Sequence, residues 1–96
     1  METKIAIKRA INEEAYSLKG LIDYLKHEGY EEKHITEEIK KINVDWRKNA
    51  YLKAVERKEY NLEEIEQLED YLVNLGFTYE EIKYTLEKIK DYQILP

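Results

Sequence analysis

The feature that most constrains the fold is an echo. "DYLKHEGY", Asp23 to Tyr30, returns as "DYLVNLGF", Asp70 to Phe77. Aligning Leu21–Ile42 with Leu68–Ile89, a shift of 47, gives eight identities in 22 positions: Leu, Asp, Tyr, Leu, Gly, Ile, Lys and Ile. The matches fall on apolar residues at helical spacing, on a glycine that stops the helix, and on the aromatic or apolar residues that would restart the chain. A helix, a glycine turn and a second helix form an αα-hairpin. Two such hairpins, about 3–43 and 61–93, joined by a helix at about 46–59, are expected to bury each other's stripes, which neither could do alone. The pattern Y-L-x3-G-[YF]-x4-I-x3-[IL]-x2-I is a helix-stop grammar that many tandem helical modules share, and no family is assigned from it.

Helical periodicity extends beyond the echo. Ile7, Ile11, Leu18, Leu21, Ile22 and Leu25 recur in steps of three and four, the signature of an amphipathic helix. The spacing predicts helix from about Thr3 to Glu28, with Gly20 inside it marking a kink or a close helix approach, and Gly29 ending it in the left-handed conformation. A second helix turns Ile35, Ile39 and Ile42 inward, with Tyr30 stapled onto Ile35. Asp45 is the expected cap of a third helix, Trp46 to Glu59, facing Ala50, Tyr51, Ala54 and Val55 inward; a single bent helix through Asn43–Asp45 is the alternative. Trp46 is expected to anchor the core between the hairpins. "YNLEEI" and "FTYEEI" then each supply a cap, Asn61 or Thr78, a glutamate three residues on, and an apolar staple, Tyr60 to Ile65 and Phe77 to Ile82. Both Gly29 and Gly76 are expected at positive φ.

The fold class is therefore all-α, one domain of about five helices in a compact bundle. Leu, Ile, Glu and Lys dominate, and the three glycines and one proline leave little turn chemistry for hairpins of strands. At 96 residues one small core is the limit. The chain has no cysteine, which removes disulfides, thiol catalysis and cysteine–zinc sites. "METKIAIKRAINEE" has no continuous apolar run, so neither a signal peptide nor a membrane span is expected there. A cytoplasmic location is the expectation.

Little in the sequence points to catalysis. The only serine, Ser17, has no histidine at a recognisable spacing, and the glycines are too scattered for a phosphate loop. His27, Glu31 and His34 have a ligand-like spacing, but Gly29 falls between them, so they read as solvated surface. No metal and no cofactor is expected, and the chain reads as a non-enzyme.

Two features remain. The net charge of −5 is wholly local: seven acids lie between Glu56 and Asp70, against Arg57 and Lys58. Glu59, Glu63, Glu66 and Asp70 are spaced +4, +3, +4, one helix face opposite Ile65, Leu68 and Leu72. Like charges at that spacing repel, so the stripe reads either as a solubilising face or as a dock for a basic surface. Nine tyrosines exceed what staples and core edges use. Tyr71, Tyr79 and Tyr84 are expected to flank or face solvent, where tyrosine gives contact area at low entropy cost.

The leading expectation is a small acidic regulator or inhibitor that docks a basic surface of a protein partner. That partner could handle nucleic acid, as for a phage or mobile-element inhibitor. One alternative is direct DNA binding by a helix-turn-helix-like hairpin, drawing on Arg47, Lys48, Lys53, Arg57 and Lys58. Another is a structural homo-oligomer, such as a homodimer, through the Ile11, Leu18, Leu25 stripe.

Overall fold

The structure, a computed structural model, describes residues 2–56 and 64–94, with side chains described at 3–56 and 67–89. Asn61 and Tyr60, expected as cap and staple, lie outside the described residues, as do Glu59 and Glu63; the side chains of Ile65 and Glu66 do too. Six helices are present and no strand among the described residues: α1 Glu2–Glu13, α2 Leu18–His27, α3 Glu32–Ile39, α4 Trp46–Glu56, α5 Glu64–Asn74 and α6 Tyr79–Ile94.

The sixth helix arises because the long first helix is two. Ser17 is extended (φ −75°, ψ 164°), and its Oγ accepts the Gly20 backbone N–H at 2.8 Å. A serine hydroxyl offers the backbone a partner outside the helix ladder, so Ser17 starts a new helix rather than continuing the old one. The break splits the expected stripe: Ile7, Leu21 and Leu25 are buried, but Leu18 opens α2 at 40% exposure. No continuous Ile11–Leu18–Leu25 seam exists for a helix-1 dimer. Gly20 marks the close approach, since a Cβ there would lie 3.0 Å from Ser17 Oγ and 3.3 Å from the Leu75 carbonyl.

The two glycine turns share one geometry. Gly29 and Gly76 have φ of 102° and 95°. The N–H of Gly29 bonds to Lys26 O and that of Tyr30 to Leu25 O; Gly76 and Phe77 bond to Val73 O and Leu72 O in the same way. This is the Schellman stop, with its apolar contact supplied by Tyr30 near Leu25 and by Phe77 near Leu72. The restarts differ. Thr78 and Glu81 close a capping box, Thr78 N to Glu81 Oε1 at 2.9 Å and Glu81 N to Thr78 Oγ1 at 3.3 Å. Glu31, at the equivalent cap, makes no side-chain cap bond. Asp45 does cap α4, accepting the Lys48 N–H at 3.1 Å, and α3 and α4 are separate helices.

The hairpins do not bury each other's stripes. Ile7, Ala10, Leu21, Leu25, Ile35 and Ile39 form one core, from α1, α2 and α3. Ala50, Ala54, Leu68, Leu72, Phe77, Ile82 and Ile89 form another, from α4, α5 and α6. Each hairpin finds its third helix on its own N-terminal side, because that helix lies next in the chain and closes the core at little entropic cost. The result is a compact all-α fold drawn out along one axis, 49 × 21 × 21 Å.

α4 has two working sides. Ala50 and Ala54 face the second core, and their small side chains let α4 lie close against α6. Arg47 sits over Tyr84, and one turn on Lys88 sits over Tyr51, so α4 and α6 run in the same direction. Trp46, Asn49 and Lys53, at steps of three and four, face the first three helices. This second commitment turns Val55 outward, at 44% exposure, rather than into the core. Trp46 is half-buried against the first core.

Candidate interaction surfaces

The acidic face is described only in its later part. Glu69 and Asp70 are exposed on α5. Val73, one turn beyond Glu69, is 55% exposed, and Tyr79, the first residue of α6, is 73% exposed. Tyr71 is half-buried against the second core. Tyr84 faces α4 rather than open solvent: it is half-buried, with the Arg47 guanidinium 4.8 Å from its ring centre and Lys88 Nζ at 5.5 Å. Its position two residues from Ile82 and from Leu86 turns it from the main core, but the parallel α4 covers that side. Asp70 and Tyr79 therefore remain as surface candidates, while Tyr71 and Tyr84 are committed to packing.

The basic run of the sequence is also divided. Arg47 and Lys48 are exposed, but Lys53 is buried, with 7% of its surface accessible. It points into the junction between the two three-helix units. There its Nζ donates to Glu14 Oε1 at 2.6 Å and lies 3.5 Å from Glu56 Oε2. Burial works against the ammonium charge, yet the hydrogen bond and charge of Glu14, with the charge of Glu56, outweigh it and hold the Lys53 pKa above its usual value. The same hydrogen bond from Lys53 lowers the Glu14 pKa against its own partial desolvation. Tyr16 is pushed up to about 12, by burial first and then by the neighbouring Glu14 carboxylate.

Beyond Trp46, the junction is held by polar groups. Asn49 Nδ2 donates to the Tyr16 carbonyl at 2.8 Å, and Ser17 Oγ donates to the Leu75 carbonyl at 2.6 Å. The Tyr16 ring stacks on Tyr24 at 5.3 Å. A concavity of about 240 Å³ opens beside these groups, lined in part by Glu14, Tyr16, Asp23, Lys53 and Asn74. Ser17, Asn49 and Lys53 are the residues that sequence reasoning misses here. The usable signal was α4 itself, which carries polar Asn49 and Lys53 in phase with Trp46.

Ser17 uses its hydroxyl for the α2 cap and for Leu75, and no histidine is bonded to it. The Gly29 turn separates His27 from Glu31 and His34, and all three are exposed. Among the described residues no three His, Asp or Glu side chains gather as metal ligands would, and no helix is long and apolar enough to cross a membrane. No protein-family model matches the chain, and no curated protein or solved structure matches it.

Proposed function

We propose that the chain is a small non-enzymatic protein-binding regulator or inhibitor that docks a basic surface of its partner, a surface of the kind that holds nucleic acid. One observation carries the reading. From Glu59 to Ile82 there are eight acids and no lysine or arginine, and within that stretch Asp70, Val73 and Tyr79 stand exposed. Apolar and aromatic contact area flanked by one sign of charge suits steering toward a basic patch followed by close contact. The partner would be captured with the tagged chain from its native host at low salt and released at high salt. Asp70→Lys combined with Tyr79→Ala is expected to abolish capture; undiminished capture would remove this face from the reading.

A second reading has its own observation. Arg47 and Lys88 are exposed beside Tyr51 and Tyr84 on α4 and α6, a cation-and-ring strip that could meet phosphates and bases. Fluorescence anisotropy with single- and double-stranded DNA at low salt decides it. No binding there, or binding unchanged in Arg47→Ala with Lys88→Ala, would rule the strip out. We also take the shift-47 echo as an internal repeat, each copy being the glycine-stopped hairpin.

A further inference from the structure

The junction differs from both cores in kind. Each core is a closed set of apolar side chains. Between them stand a serine, an asparagine, a buried lysine and a glutamate. Units joined by a small polar contact are free to move unless something fastens them. Four fastenings cross the junction: Ser17 Oγ holds the Leu75 carbonyl where α2 begins and α5 ends, and three more lie along α4. Trp46 is seated against the first core at the start of the helix. Asn49 holds the Tyr16 carbonyl one turn on. Lys53 holds Glu14 a further turn on, about 10 Å from Trp46 along the helix axis.

We propose that this junction is a hinge: Trp46 is its pivot and the Lys53–Glu14 ion pair is its latch. The ion pair is suited to release. Glu14 lies in the linker between α1 and α2, belongs to neither core, and keeps 45% of its side chain accessible. Lys53 has an alternative partner on its own helix, Glu56 at 3.5 Å. When the latch opens, Lys53 turns toward Glu56, the Ser17–Leu75 bond parts with it, and Trp46 stays seated on the first core. The 14–17 linker and the segment after α3 take up the rotation. Opening enlarges the concavity beside Tyr16 and Asn74, which lies on the same junction. The hinge does not depend on which face of the protein a partner occupies.

The absence of cysteine makes the test direct. Spin labels on Lys33→Cys and Glu87→Cys, both exposed and one on each unit, report the distance across the junction. Lys8→Cys with Lys33→Cys, and Gln67→Cys with Glu87→Cys, report within each unit. With the native latch, the cross-junction pair is expected to give one narrow distance. Glu14→Gln is expected to add a second, longer population there and to leave both within-unit distances unchanged. Lys53→Met, which keeps the packed stem and removes the charge, is expected to do the same. A single unchanged distance across the junction in either folded variant would overturn the hinge. Broadening within a unit would overturn it too, because the pair would then hold a core rather than an orientation. Loss of helicity in both variants would overturn it for the same reason.

Discussion

The two halves of the molecule use one stop signal in two settings. At Gly29 and at Gly76 the backbone makes the same pair of hydrogen bonds and takes the same left-handed turn. Around Gly29 nothing lies within 4 Å of where a Cβ would stand. Around Gly76, Ser17 Oγ would be at 2.9 Å and Lys19 Cβ at 3.0 Å. The first glycine is needed for its torsion alone, the second for torsion and for room. Repeated local sequence thus reproduces the turn, while its surroundings are set by where the chain happens to cross.

The largest effect should test whether the cores are separate. Leu72→Ala and Leu25→Ala each remove a buried side chain and should each cost about 3 kcal/mol. Hydrogen exchange is expected to rise chiefly in α4–α6 for the first and in α1–α3 for the second. Equal loss of protection everywhere would mean one cooperative unit. Next come the glycines. Gly29→Ala should cost about 1 kcal/mol for the torsion, and Gly76→Ala about 2 kcal/mol or more once the contact is added. Equal midpoints in urea denaturation would show that Lys19 and Ser17 yield freely. Third, Thr78→Ala should cost about 1 kcal/mol by opening the capping box, whereas Glu31→Ala should be nearly neutral. Comparable losses would mean that Glu31 caps in solution.

The smallest effect is one of pH. The folded Tyr16 pKa lies above its ordinary value of 10, so the neutral phenol is favoured in the native state. Its stabilising contribution is complete below pH 10 and is lost as pH rises toward about 12. Ultraviolet titration of Tyr16→Phe against the parent should remove a tyrosine step near pH 12. Removal of an earlier step would place Tyr16 in water. Glu14 runs the opposite way: its lowered pKa contributes stability that is lost as the solution is acidified through the folded value.

What was legible in the sequence was local. Both Schellman glycines, the Thr78–Glu81 box and the Asp45 cap were readable because each joins residues within a few positions, whose chemistry states its own geometry. The stripes, where their side chains are described, were legible for the same reason, apart from Leu18 and Val55. What escaped was most of what joins distant segments, Gly20 at its close approach and Trp46 on the first core being the exceptions. Ser17 looks like a tolerated mid-helix serine until Leu75 is seen to accept its hydroxyl, 58 residues away. Lys53 looks like part of a basic run until Glu14 is seen beneath it. The pairing of cores escaped as well, since helical periodicity says that a face is buried but not against what. For the candidate surface, the exposure of Asp70 and Tyr79 was legible from pattern; Tyr84 was misplaced because a parallel neighbour is invisible to spacing.

The Ser17 hydroxyl also bears on the order of events during folding. Each three-helix unit is held by contacts between neighbours in the chain and should assemble quickly. The bond from Ser17 to Leu75 closes a far longer loop, and it requires both the start of α2 and the end of α5 to be in place. It is therefore expected to form after the rate-limiting step. Ser17→Ala should then accelerate unfolding in stopped-flow experiments and leave the refolding rate nearly untouched. A slowed refolding arm would instead put the meeting of the two halves in the transition state.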